Sequence, residues 1–383
     1  VSIAPTRLAA AGAEEGSLRE LRLEVRSFLE AQRRAGAFVP AVDGWQSGID
    51  PEFSRALGGR GLVGMTVPVE YGGHGRTQAE RYVVLEELLA SGAPVAAHWV
   101  ADRQMAPAIL KHGTPAQRER LLPGIAAGER LFAIGMSEPD AGSDLASIRT
   151  RARREGGGWR LRGTKVWTSG AHRATNALVL ARTADSETRH AGLSQFVVDL
   201  PHPDIHVKPL HTIDGGSHFN EVVLDDAWIP EAALLGQEGA GWAQVTAELA
   251  YERSGPERLL TTMPLLRAWD AARRREATSL GPRDAIGPVV SRVIALREMS
   301  RAVAEVIQDG GDPAVAAAMV KDSGTLFEQH LVDEVRRAVD AELDPDAAGL
   351  TGLLAQAVLR APAFTLRGGA NEVLRSIIVK GLR

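Results

Sequence analysis

Two short stretches carry residue types that can hold a ligand. The first is Met136-Ser137-Glu138-Pro139-Asp140-Ala141-Gly142-Ser143-Asp144, and the second, about two dozen residues later, is Lys165-Val166-Trp167-Thr168-Ser169-Gly170. Small residues at Ala141 and Gly142 let backbone amides approach a ring or a phosphate oxygen, and Ser137 and Ser143 add hydroxyls. Trp167 offers a flat apolar surface beside the hydroxyls of Thr168 and Ser169. Together they describe a cradle for a planar molecule with a polar edge. Taken singly, each stretch also reads as an ordinary turn or a core tryptophan.

The surrounding pattern says what must position them. Apolar residues at Leu18, Leu21, Val25, Phe28 and Leu29 have helical spacing behind a Ser17 cap. Further helices are expected at 51–58, 78–90, 95–112 and 115–125. The character changes near Leu131. A charged ribbon precedes Trp159 to Ser169, which alternates like a strand. Ala177 to Thr183, Leu193 to Leu200, Ile205 to Pro209 and Glu221 to Ile229 add short strands broken by Gly, Pro, Asp and His, as in an antiparallel sheet or barrel of roughly 100 residues. Helical spacing returns after Gly241, at 242–253, 258–279, 287–309, 313–343, 350–359 and 371–382. The expected class is α+β multidomain: an N-terminal helical domain (1–128), a central β domain (129–235) and a C-terminal four-helix-bundle-like domain (236–383).

At 383 residues the chain is long enough for two or three domains. A 44% hydrophobic, 24% charged composition is that of a globular protein, and a net charge of −4 gives no case for nucleic acid. Cysteine is absent, which excludes disulfides and thiolate chemistry. His202 and His206 are four apart, but Pro203 argues against a shared helix face, and no metal site is expected. No apolar run approaches the roughly 20 residues that span a bilayer. The start, VSIAPTRLAAAGAEEG, lacks a basic segment followed by an apolar core. A frayed tail and a cytoplasmic protein are the expectation.

The element order, with MSEPDAGSD and KVWTSG, resembles the acyl-CoA dehydrogenase family over essentially the whole chain. VPVEYGGHG (67–75), LGQEGAGW (235–242) and GGANEVLRSII (368–378) are further landmarks in the right order. The resemblance implies a flavoprotein oxidoreductase of lipid metabolism that binds FAD and oxidises an acyl-CoA thioester. It also implies electron-transferring flavoprotein as acceptor and a tetramer, homomeric or heteromeric. In the family, the segments matching Ile134, Met136, Ser137, Gly142 and Ser143, and Trp167, Thr168 and Ser169, contact the flavin. The residue matching Ser143 also touches the acyl-CoA.

That reaction needs a carboxylate to remove the α-proton of the thioester. Many family members place it just before the glycine matching Gly369, but here that position is Gly368 and it follows Arg367. The isovaleryl- and long-chain-type enzymes take their base from a helix of the last domain, and the matching position is Glu252. Glu252 is the expected base, with Arg253 beside it on the substrate side. The competing reading of Glu252 is a helix-surface charge paired with its neighbours. On the adenine side, Arg283 matches a family arginine that meets the pyrophosphate, and it reads equally as an ordinary surface arginine. Gly369 and Glu372 stand where the family has Gly-Thr-x-x-Gln, so a hydroxyl is lost and a carboxylate gained near phosphates. These departures keep two alternatives open: a subunit of a heteromeric dehydrogenase whose partner completes the FAD site, and a flavin monooxygenase of the same fold.

Overall fold

A computed structural model describes residues 16–186, 188–275 and 286–382. The N-terminal region is helical: α1 (Gly16–Arg34), α2 (Gly44–Ser47), α3 (Pro51–Gly58), α4 (Gln78–Ala90), α5 (Ala96–Val100), α6 (Ala106–His112) and α7 (Pro115–Ala126). α1 buries Leu21, Val25, Phe28 and Leu29, the stripe its spacing predicts. Thr77 and Thr114 close capping boxes on α4 and α7, each accepting from the backbone amide three residues on. The helix expected over 95–112 is interrupted. Residues Ala101–Met105 form a π-helical turn between α5 and α6, and all five are buried. The wider turn points polar side chains inward: Asp102 accepts from the Gly64 amide at 2.8 Å and pairs with Arg81, while Arg103 pairs with Glu257. No periodicity signal marks such a turn.

The central strands are β1 (Phe132–Gly135), β2 (Arg151–Glu155), β3 (Gly158–Lys165), β4 (Asn176–Arg182), β5 (Leu193–Asp199), β6 (Ile205–Leu210), β7 (Phe219–Pro230) and β8 (Leu234–Leu235). They form one sheet in the order β6-β7-β3-β2-β4-β5-β8, with β1 beside β4. Most pairings are antiparallel, but β1 runs parallel to β4, and a single parallel bridge, Arg151 to Arg182, joins β2 to β4. The sheet curls, so Trp159 of β3 meets Phe196 of β5 edge-on at 5.2 Å. β2 is the charged ribbon of the sequence, a strand whose Ala152 faces inward between exposed arginines. β3 ends four residues before Ser169, because Trp167 turns the chain with φ 58°.

The C-terminal region holds α8 (Gly241–Ser254), α9 (Met263–Arg275), α10 (Ile286–Gln308), α11 (Ala314–Ala338), α12 (Leu350–Phe364) and α13 (Asn371–Gly381). The helix expected from Arg258 starts later, at Met263, because Pro256–Arg258 form a short 3-10 turn. Helices from both ends of the chain share one core: Phe28, Leu57 and Leu88 sit in the same apolar cluster as Leu265, Leu331 and Leu354. α2, which the sequence pattern did not reveal, lies where these helices meet the sheet.

Candidate active site

The two ligand-type stretches come together at the end of β1 and β3. Lys165 is fully buried, and its ammonium donates to the Met136 carbonyl at 3.0 Å and to Glu138 Oε1 at 2.8 Å. Glu138 also accepts the Arg149 and Thr150 amides at 2.6 and 2.9 Å. Its backbone exchanges two hydrogen bonds with Ala141, which closes the loop. The Val166 amide then donates to the Ser137 carbonyl at 2.9 Å. Burial alone would raise the Glu138 carboxyl, but the Lys165 ammonium and the surrounding donors outweigh it and hold it below the usual range. Burial pushes Lys165 down, to about 8, against the pull of Glu138. Both residues stand inside the two motifs, and a separation of 27 positions carries no sign that they pair. The signal available was a lysine and a glutamate in two stretches assigned to one ligand.

The face these loops present is open. Gly142 and Ser143 are exposed, and a Cβ at Gly142 would meet nothing. Ile134 on β1 and Met136 and Ser137 beyond it are half-buried. Trp167 is 58% exposed, stands edge-on to Phe219, and holds a left-handed backbone that non-glycine residues rarely adopt. A large aromatic kept in that conformation on the surface fits a flat ring to be covered. Thr168 is buried, its backbone is tied to Asn220, and its hydroxyl has no partner. Ser169 Oγ accepts from Gln46 Nε2 at 2.7 Å, which leaves the hydroxyl proton of Ser169 free to donate.

Gln46 belongs to α2, and its neighbour Trp45 reaches the other half of the site. Three guanidiniums face the Trp45 ring, from Arg103, Arg258 and Arg367, at 5.6, 5.2 and 4.5 Å from its centroid. Arg258 in turn holds Glu252, with Nη2 donating to Oε1 at 3.2 Å. The short α2 thus bridges the hydroxyl loop and the candidate base. Arg253 Nε donates to the Gly368 carbonyl at 3.0 Å. Lys321 donates to the Thr365 and Gly369 carbonyls and to Asn371 Oδ1, at 3.0, 2.8 and 2.6 Å, and fixes the loop before α13. Gly368 (φ 71°) and Gly369 (φ 95°) both need the freedom of glycine. A Cβ at Gly368 would lie 2.7 Å from Arg258 Nη2 and 3.2 Å from Glu252 Oε1. The Glu252 carboxylate therefore occupies the space toward which a side chain at 368 would point. Glu372 is exposed in the first turn of α13. Arg283 lies outside the described residues.

One carboxyl escaped sequence reasoning. Glu248 sits one helical turn before Glu252, is 5% exposed, and neither of its oxygens has a hydrogen-bond partner. Burial pushes it up to about 7; the nearby Gln195 amide opposes this and Glu252 adds to it. The folded state therefore binds more protons than the unfolded chain between about 4.5 and about 7, and stability falls as pH rises through that window. The loss is on the order of 3 kcal/mol. Glu248→Gln removes this share, so the fall in urea midpoint from pH 5 to pH 8 is expected to be smaller in the variant than in the parent protein, with the buried Glu328, pushed up to about 8, keeping part of it.

The sequence matches the family described as acyl-CoA dehydrogenase, N-terminal domain, over residues 16–129, and acyl-CoA dehydrogenase, middle domain, over 133–227. IpdE1, an acyl-CoA dehydrogenase of Mycobacterium tuberculosis, is 32% identical over 391 residues, covering 95% of this chain and 96% of IpdE1. The chain belongs to the acyl-CoA dehydrogenase family. This family of oxidoreductases is in general flavin-dependent. FadE34, an acyl-CoA dehydrogenase of the same organism, is 34% identical over 349 residues, which are 87% of this chain but only 46% of FadE34. Among solved structures, the Tcur3481-Tcur3483 steroid ACAD superposes with a TM-score of 0.86 at 28% identity, over 96% of this chain and 98% of that one. The acyl-CoA dehydrogenase fold expected from the landmarks is the fold observed. Among the described residues, no helix is long and apolar enough to cross a membrane.

Proposed function

We propose that the chain is an FAD-dependent acyl-CoA dehydrogenase that removes the α-proton of a thioester with Glu252. The observation that carries this reading is the convergence at Gly368. The family's usual base position is a glycine here, and the Glu252 carboxylate from α8 lies 3.2 Å from where its Cβ would stand. Glu252 is 19% exposed, so a substrate can reach it.

FAD, when bound, supplies the oxidising ring that accepts the β-hydrogen as hydride. The chain's own residues do the rest. Trp167 covers a ring face and excludes water from it. Ser169, oriented by Gln46, presents a donor at the ring edge, and the loop from Ser137 to Ser143 presents hydroxyls and amides. Glu252 holds the abstracted proton. A groove of about 580 Å3 is lined by Arg149, Arg151, Arg182 and Arg189 together with Asp185, which pairs with Arg151 at 3.0 Å. Its arginines outnumber its one lining carboxylate, and this excess suits the phosphates of coenzyme A, which would compete with Asp140, Asp185 and Asp144 for Arg149, Arg151 and Arg189. Electron-transferring flavoprotein is the proposed acceptor.

A second reading has one observation in its favour. Glu372 places an exposed carboxylate at the head of α13, where the family meets the adenosine phosphates, and an anion there repels them unless a cation answers it. A partner chain supplies that cation in a heterotetramer, and the two-component name of the Tcur3481-Tcur3483 steroid ACAD accords with such an assembly. Purifying the chain alone and recording a visible spectrum separates the readings. Bound flavin that bleaches anaerobically with a panel of short, branched, long and steroid-derived acyl-CoA thioesters is the expected result. Flavin appearing only after co-expression with a partner establishes the heteromer, and flavin that no thioester bleaches overturns the dehydrogenase reading.

A further inference from the structure

We propose that Arg258 is the positioning residue of Glu252, and that it is held in turn by an ion-pair chain reaching back to the π-helical turn. The proposal rests on the reading of Glu252 as base.

Glu252 lies in the last turn of α8, where backbone carbonyls lack helical partners. The chain breaks at Gly255 and the 3-10 turn brings Arg258 back under that end. Its guanidinium fork then grips one residue twice. Nε and Nη2 donate to the Glu252 carbonyl at 3.0 and 2.8 Å, and Nη2 also donates to Glu252 Oε1 at 3.2 Å. Backbone and carboxylate of the base are thereby fixed by the same rigid group. Glu252 Oε2 has no hydrogen bond among the described residues, and it is the oxygen left to take the α-proton. A lysine cannot reproduce this, because a single ammonium lacks the planar fork.

Arg258 is itself fully buried, packed on Trp45, with Glu257 Oε1 3.8 Å from its Nε. Glu257 also pairs with Arg103 of the π-helical turn. A Cβ at Gly255 would lie 2.0 Å from Glu257 Oε2, so the turn needs glycine to admit this carboxylate. The order is Arg103, Glu257, Arg258, Glu252, with charges alternating from the turn to the base. The groups bearing on Glu252 come from every side: Glu248 and Arg253 on α8, Arg258 on the 3-10 turn and Lys321 on α11. Behind Arg258 stand Glu257, Arg103 and Arg367. Among the described residues, Arg258 is the cation in hydrogen-bond contact with the carboxylate.

Opposite signs test the chain. In Arg258→Gln the carboxylate loses its adjacent cation, and the pH profile of single-turnover flavin bleaching moves to higher pH by about 1 unit or more. In Glu257→Gln, Arg258 and Arg103 are left less neutralised, and the profile moves to lower pH. Arg258→Lys keeps the charge but loses the double grip: its profile stays and its rate falls by about tenfold. An infrared titration of the carboxylate band, with the Glu252→Gln spectrum subtracted, follows the same shifts without turnover. Shifts in opposite directions in the two Gln variants support the proposal. Where Arg258→Gln fails to fold, the Glu257→Gln and Arg258→Lys profiles decide. Profiles that do not move, or that move the same way, overturn it while leaving Glu252 as base. If Glu252→Gln itself still bleaches, the base reading falls first and this proposal falls with it.

Discussion

Replacing Glu252 by Gln is expected to leave a folded protein with its full flavin content that acyl-CoA no longer bleaches. The expected loss in the reductive half-reaction is at least about 100-fold, the scale of a positioned general base. The substitution is close to isosteric, and its amide oxygen still accepts from Arg258 Nη2, which contacts Oε1 at 3.2 Å. Glu252 makes no hydrogen bond to the loop from Met136 to Ser143 or to Trp167 through Ser169, so the ring-binding half stays as it is. What is lost is the ability to hold a proton. Anaerobic stopped-flow bleaching, with the flavin-to-protein ratio read from the same spectrum, checks both halves of the claim. Bleaching within about tenfold of the parent protein, well short of the roughly 100-fold floor for a positioned base, removes Glu252 from the mechanism.

Lys165→Met is expected to be among the most destabilising single changes at this site. Lys165 is fully buried and Glu138 nearly so, and removing the ammonium strands a carboxylate inside the protein. Breaking a buried pair in this way costs about 3–5 kcal/mol. The Met136 carbonyl loses its donor as well, and the loop that carries Ser137, Gly142 and Ser143 loses its anchor. Loss of flavin on gel filtration is expected alongside the fall in urea midpoint. The sign of the pH dependence is fixed by Glu138, whose carboxyl is held below its ordinary 4.5 in the folded parent. That group stabilises the fold fully above about 4.5, and the contribution disappears as pH falls through its lowered folded value. The deficit of Lys165→Met is therefore largest at neutral pH and narrows toward pH 4, where Glu138 protonates in the variant. Glu138→Gln combined with Lys165→Met restores part of the loss, because no unpaired charge remains. A double variant as unstable as the single one rules out this account.

Much was legible in the order of the residues. The apolar spacing of α1 and the short apolar strands β4 and β5 are local signals, and local signals survive reading in one dimension, although α1 starts at Gly16 and so takes Ser17, the expected cap, inside the helix. The motifs MSEPDAGSD and KVWTSG, with their relatives along the chain, led to the acyl-CoA dehydrogenase family. Gly368 showed from the sequence alone that the usual base is missing, and Glu252 was the remaining carboxylate at a family position.

What the sequence could not display is how charges separated by tens or hundreds of residues share one buried volume. Lys165 meets Glu138 across 27 positions and Arg103 meets Glu257 across 154. Trp45 gathers guanidiniums from three parts of the chain. None of these has a period or a spacing, because burial and Coulomb attraction act through space and are indifferent to chain distance. The π-helical turn and the four-residue α2 are invisible for the same reason: tertiary contacts, not propensity, stabilise them. Sequence alone determined the family, the helix–sheet–helix order and the residues eligible for the chemistry. The tertiary structure decided that Glu252 fills the space beside Gly368 and that Arg258 holds it there, since only packing brings the end of α8 against the loop before α13.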